Sequence, residues 1–183
     1  GNTKNLGNFQ RADAIGIEIH TESFAYATAD PRNDMTFYRN KLINKGSKVI
    51  DSCYFAQWVD ADLGYAFDDY VGCDVARGLG ICYNGDDLDE TLQGYGSNPP
   101  SIAVDFFIGP QADELDGIDN DKDGIVDEEN EKIIASNFVY YNNGGGINGD
   151  PVSARDYFNY CRGKWKADNG SPWMTYDLSL IHI

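Results

Sequence analysis

The chain has 183 residues and a formal net charge of −16, from 30 Asp plus Glu against 14 Lys plus Arg. Apolar residues at 42 % and aromatics at 13 % suffice for a buried core and exclude a disordered chain. So negative a surface repels phosphate backbones and anionic headgroups, and no apolar run approaches the roughly 18–20 residues of a membrane span; nucleic acid and membrane insertion drop out as partners, and cations come forward.

The opening, Gly1–Asn5, shows neither an initiating Met nor a signal-peptide pattern, which reads as a chain entered after processing or within a longer protein. Period-two alternation over Ala14–His20, continued by Phe24–Ala27, predicts a first strand. Met35–Asn44 reads as a second strand, closed by a Lys45-Gly46-Ser47 turn, and Val49–Val59, rich in aromatics and holding Trp58, as a third. Ser101–Ile108 and Ile133–Tyr141 are later strand candidates. One short helix is expected at about Ala154–Lys164, capped by Ser153, with Tyr157, Phe158 and Cys161 on its apolar face. Gly/Asn clusters at 94–98 and 142–149 punctuate the remainder. The expected fold class is all-β, a jelly-roll-like β-sandwich with long Gly/Asn/Asp-rich loops, forming a single domain over 1–178. The last residues, Ser179–Ile183, read as a translated sequencing adapter, which would make His182 incidental.

The sharpest motif is Asp116-Gly117-Ile118-Asp119-Asn120-Asp121-Lys122-Asp123-Gly124-Ile125-Val126-Asp127-Glu128. Asp119, Asp121 and Asp123 alternate and are followed by Gly124, which matches the first half of an EF-hand-type loop. Ca²⁺ takes six to eight hard oxygens at about 2.3–2.6 Å; carboxylates at every second residue of a curled loop point inward, and Gly permits the sharp turn. The predicted ligands within a loop at 116–130 are Asp119, Asp121, Asp123, the Ile125 carbonyl and Asp127, with Glu128 included in the set. The pattern departs at its end, because the twelfth position is Asn130 rather than a bidentate Glu, and no amphipathic helices flank the loop. It is therefore closer to thrombospondin type 3 or dockerin-like calcium loops than to a helix-loop-helix sensor. The alternative is an acidic solvated loop.

A second acidic group, Asp60, Asp62, Asp68, Asp69 and Asp74, is either another cation site or a set of strand-end turn caps. The stretch Asn84–Glu90 reads as solvated loop. Four cysteines, Cys53, Cys73, Cys82 and Cys161, include no CxxC pair, which argues against a structural zinc site. Their even number fits an oxidising compartment, with Cys73 and Cys82, across a Gly-rich turn, as the favoured disulfide; four reduced core cysteines are the alternative.

Catalytic patterns are scarce. HExxH, GxSxG and a Walker loop are all missing from the sequence, and His20 falls in an alternating strand where a hydrogen-bonded sheet role is expected. No catalytic residue is assigned. The aromatics Trp58, Trp165, Trp173 and Tyr95 are either core or a sugar-stacking platform.

As a set, Met35–Asp86, Gly94–Pro110 with Asp116–Glu128, and Tyr141–Trp165 resemble a recurring region of large secreted Bacteroidota-type proteins that end in a type IX secretion sorting domain. The most specific pieces are Asp68-Asp69-Tyr70-Val71-Gly72-Cys73-Asp74, Tyr83-Asn84-Gly85-Asp86 and Asn98-Pro99-Pro100. The resemblance implies a secreted or cell-surface setting and no defined activity. The sequence thus leads to a calcium-stabilised, non-catalytic surface module, with a carbohydrate-binding module or a glycoside-active enzyme fragment as alternatives. Its expected partners are Ca²⁺ and, beyond that, glycans or other surface proteins.

Overall fold

The computed structural model describes residues 14–74, 77–90, 92–142, 144, 149–166 and the backbone of 174–175. Trp173 and the 179–183 segment lie outside them. The chain divides into two compact units, residues 1–53 and 54–183, where the sequence offers no linker.

The first unit is an antiparallel hairpin of β1 (Ile17–Ala25) and β2 (Thr36–Asn44), in register from Ile17 opposite Asn44 to Ala25 opposite Thr36. Both strands fall where alternation predicts them. The register sets Phe24 opposite Phe37, whose rings stack at 5.4 Å, and Tyr26 meets both edge-on. A one-turn 3-10 helix at Pro31–Asp34 makes the connection, with Asp30 accepting from the Arg32 amide and pairing its guanidinium at 2.6 Å. That partner holds the Asp30 carboxyl down at about 2.

The second unit is built on a three-stranded antiparallel sheet in the order β3–β4–β7: β3 (Asp69–Asp74), β4 (Leu79–Asn84) and β7 (Ser101–Asp105). Two short pairs accompany it, β5 (Leu88–Asp89) with β6 (Gly96–Ser97) and β8 (Lys164–Trp165) with β9 (Met174–Thr175). With the single helix α1 (Ala154–Cys161), the architecture is mostly short strands, compatible with an all-β fold.

Two expected strands are absent. Residues 49–59 form no ladder; the segment docks through rings instead, Tyr54 edge-on to Phe158 at 5.5 Å and Phe55 against Phe106 at 6.1 Å. Residues 133–141 are likewise irregular, held at one end by the Ile133 amide to the Pro110 carbonyl at 2.9 Å. In exchange, β3 and β4 form a hairpin the sequence reading passed over, because Gly72, Gly80 and the flanking acids mask the alternation.

α1 begins at the expected cap, Ser153, whose hydroxyl accepts from the Asp156 amide at 3.2 Å. Its inward face is not the expected one. Asp156, Asn159 and Tyr160 are buried while Tyr157 and Phe158 are exposed, since hydrogen bonds compensate the buried polar groups. Tyr160 donates to the Gly149 carbonyl at 2.6 Å, stacks on Tyr141 at 5.4 Å, and has its phenol pushed up to about 12 by burial and the Asp156 charge. Trp165, 4 % exposed, donates its indole N–H to the Tyr140 carbonyl at 3.0 Å.

Asp156 ties this cluster together, accepting from the Val152 amide at 2.9 Å and facing Lys166 at 3.3 Å. Burial pushes its carboxyl up, but the Val152 amide, Lys166 and Ser153 outweigh that and hold it below the usual range. A depressed carboxyl supplies stability that is complete above the unfolded value and fades as pH falls below about 4. Asp156→Ala is expected to cost about 1–3 kcal/mol at neutral pH, through the loss of its bond to the Val152 amide and of its pairing with Lys166, which keeps the Asp150 carbonyl, and to flatten the acid limb of a denaturation curve. An acid limb unchanged by the substitution would contradict this role.

Candidate metal centre

The Asp-rich motif folds as a loop pinned at its base. Gln111 and Lys132 form an antiparallel bridge, the Ala112 amide donates to the Glu131 carbonyl at 3.0 Å, and Lys132 Nζ reaches Gln111 Oε1 at 2.6 Å. Inside the loop, short side-chain-to-amide bonds set the curl: Ile118 N to Asp116 Oδ1 at 2.8 Å, Asp123 N to Asp121 Oδ1 at 3.1 Å, and Ile125 N to Asp123 Oδ1 at 2.8 Å. Gly124, at φ +98°, makes the sharp turn expected of it and donates its amide to Asp119 Oδ2 at 3.0 Å.

Two overlapping carboxylate triads result. Oxygens of Asp119, Asp121 and Asp123 lie within 4.8 Å of one another, as do oxygens of Asp121, Glu128 and Glu131. Asp121 belongs to both triads and links the five carboxylates. Asp119, Asp121, Asp123 and Glu128 are there as the sequence predicts. Asp127 is not in either triad: at φ +57°, it turns to accept from the Gly117 amide at 3.0 Å and closes the loop instead. Ile125 is exposed and its amide is spent on Asp123.

Glu131 is the member the sequence reading missed. It sits one place after Asn130, the position where an EF-hand keeps its bidentate Glu, and a signal was present in the Glu/Asn run that ends the motif. The residue is 5 % exposed. Its Oε1 accepts from the amides of Asn120 and Asp121, while Oε2 is buried with no hydrogen-bond partner. Asp119 Oδ1 and Glu128 Oε2 are orphaned in the same way. Among the described residues, no Lys or Arg pairs with any of the five. Glu128's own amide draws its carboxyl down, but burial and the charges of Glu131, Asp121 and Asp123 prevail and hold it above the ordinary range. Buried, unpartnered carboxylate oxygens converging without a counter-charge are the donor set of a hard cation, and these acids can hold a metal ion.

The second predicted acidic group is broken up by the fold. Asp69 and Asp74 open and close β3, roughly 16 Å apart for a strand of that length, and Asp74 is bound to Arg77 at 3.0 Å. Asp60 lies near Tyr141, where its charge adds to the burial that raises the Tyr141 phenol. Asp62 and Asp68 stay beside Asp69. The Asn84–Glu90 stretch is exposed at Gly85–Leu88 and Glu90, as expected of a solvated loop, but Asn84 is 7 % and Asp89 1 % exposed.

Among the described residues no disulfide joins the four cysteines. The register sets Cys82 opposite Val71 and Cys73 opposite Gly80, so Cys73 and Cys82 share a sheet face one diagonal step apart, about 7–8 Å in a regular sheet, beyond easy disulfide reach. Burial, with Asp74 beside Cys73 and Asp69 near Cys82, pushes both thiols up and keeps them protonated. His20 is exposed in β1, with Nε2 at 2.6 Å from Glu18 Oε1. Of the aromatics, Trp165 is core, while Trp58 and Tyr95 are 62 % and 61 % exposed.

Compared with protein-family models, curated proteins and solved structures, the chain matches nothing. Glu131→Gln separates a metal ligand from a packing residue. The amide can still accept from Asn120 and Asp121 while removing an uncompensated buried charge, so in EDTA the variant is expected to melt at or above the parent. In millimolar Ca²⁺ it is expected to melt several degrees below it. A variant that melts lower by the same amount in both buffers would assign Glu131 to packing alone.

Proposed function

We propose that the chain is a calcium-stabilised, non-catalytic module of a secreted or cell-surface bacterial protein, with a structural or adhesive role. The observation that carries this is the buried Glu131 carboxylate, with one oxygen unpartnered, beside Asp119, Asp121, Asp123 and Glu128. Ca²⁺ is the ion of choice because a set of five carboxylates on an irregular loop suits its high and adaptable oxygen coordination. Mg²⁺ demands a near-ideal octahedron and dehydrates reluctantly, which such a loop serves poorly. The short antiparallel strands and long loops support a jelly-roll-like β-sandwich as the scaffold. The acid-rich surface and the resemblance to secreted Bacteroidota-type proteins support the extracellular setting, where free calcium is abundant enough to fill weak sites. The non-catalytic reading is supported by the lack of a nucleophile or metalloprotease motif and by the exposed His20, engaged with Glu18.

A cation that binds only the folded chain stabilises it by RT ln(1 + [L]/Kd), about 2.7 kcal/mol at a hundredfold excess over Kd. For a protein of this size that corresponds to roughly 5–10 °C. Thermal unfolding is therefore expected to rise by that amount in Ca²⁺ over EDTA, with little effect from Mg²⁺. Identical melting in all three buffers would overturn the reading.

Trp58 and Tyr95 favour a second reading, a carbohydrate-binding module, because exposed rings offer stacking faces to sugars. That reading expects retention on at least one immobilised polysaccharide in calcium, weakened by Trp58→Ala. No retention across a broad panel would dispose of it.

A further inference from the structure

We propose that the open end of the β3–β4 hairpin is a second site for a hard divalent cation of the calcium class, held by the carboxylates of Asp68 and Asp69 and the amide oxygen of Asn84. This site shares no residue with the loop at 119–131 and does not depend on it.

Asn84 provides the first observation. It closes β4 directly opposite Asp69, the first residue of β3, so the two side chains emerge side by side on one face of the sheet. Its Nδ2 donates to the carbonyls of Asp86 and Leu88, at 3.1 and 3.2 Å, which fixes which end of the amide points where. The residue is 7 % exposed, and the oxygen left over, Oδ1, is buried with no partner. A buried amide oxygen with nothing to accept from, on a residue paired with an acid across the sheet, is a costly arrangement for the protein alone.

The acids beside it share that condition. Both oxygens of Asp69 and Oδ1 of Asp68 are buried and lack a hydrogen-bond donor. Burial first, then the charges of Asp68, Asp89 and Asp62, hold the Asp69 carboxyl above its ordinary range; the Leu63 amide eases this without reaching hydrogen-bond geometry. Asp68 is drawn against the hairpin end by its own carbonyl, which accepts from the Gly85 amide at 2.9 Å.

Asp89 builds the wall behind the site. Only 1 % exposed, it accepts from the Tyr65 amide at 2.9 Å and the Tyr95 amide at 2.8 Å, which brings the 63–65 turn onto the hairpin end. Gly64, at φ +69°, is required there, since a Cβ would collide with the Asp89 carboxylate. Asp89's own oxygens are thus occupied, whereas both oxygens of Asp69, Oδ1 of Asp68 and Oδ1 of Asn84 have no donor, the Asp68 carboxylate being bonded besides to the Glu90 side chain. Two carboxylates and an amide oxygen are hard donors whose charge a divalent cation balances, and irregular backbone nearby suits Ca²⁺ better than Mg²⁺.

Counting bound calcium on the full chain tests this. After EDTA stripping, equilibrium dialysis against millimolar Ca²⁺ is expected to give two equivalents for the parent and one each for Asp69→Asn and Glu131→Gln. If the parent binds one equivalent, lost in Glu131→Gln and kept in Asp69→Asn, the hairpin site is overturned and the loop site stands. If that single equivalent is lost in Asp69→Asn and kept in Glu131→Gln, the hairpin site stands and the loop reading fails. No bound calcium overturns both. Should Asp69→Asn fail to fold, Asp68→Asn is read by the same count.

Discussion

Glu131 brings a carboxylate into a place where only 5 % of the residue meets solvent, and the protein supplies donors to just one of its two oxygens. An ionised carboxylate cannot stay buried on those terms without either a proton or a counter-charge. Four more carboxylates close the same space, and among the described residues no basic side chain answers them. These acids can hold a metal ion. The backbone amides that donate to these carboxylates organise the oxygens but leave their mutual charge unbalanced.

The rest of the second unit is arranged so that this constraint matters. Only Leu63, Cys82, Ala112, Tyr160 and Trp165 form its deeply buried apolar set among the described residues. One of these, Ala112, is bonded through its amide to Glu131 itself. The sheet is three short strands, and the segments around it are long and irregular. With so little hydrophobic burial, packing alone contributes little to ordering a long acidic loop, and a cation that binds only the folded chain would add to its stability. Polar burial recurs at Asp89 and Asp156, where a hydrogen-bonded side chain stands in for an apolar one.

How far the sequence could be read follows the same physics. Alternation located β1, β2 and β7 because their pattern is carried by apolar side chains, and Ser153 marked the helix start because a cap is local chemistry. The inward face of α1 escaped, since Asp156 is buried through its bond to the Val152 amide and its pairing with Lys166 rather than through its own hydropathy. The β3–β4 hairpin escaped because its acids and glycines look like a loop until Asn84 is set opposite Asp69. Asp119, Asp121, Asp123 and Gly124 were legible as a spacing. The swap of Asp127 for Glu131 was not, because it depends on Asp127 adopting a left-handed backbone and on the Gln111–Lys132 bridge drawing Glu131 inward. The dispersal of Asp60 and Asp74 from Asp69 is likewise a matter of strand length and tertiary placement, invisible in a count of acids.

Amide hydrogen exchange at Asn120, Asp121, Asp123, Gly124 and Ile125 tests most directly whether a cation holds the loop. These amides donate to Glu131, Asp121, Asp119 and Asp123, the carboxylates that would be locked by a bound ion. If opening requires the ion to leave, exchange slows in proportion to the stabilisation, about a hundredfold in calcium at a hundred times Kd relative to EDTA. Exchange at the same rate in calcium and in EDTA would show that the loop keeps its shape, or loses it, without a metal, and would contradict the account.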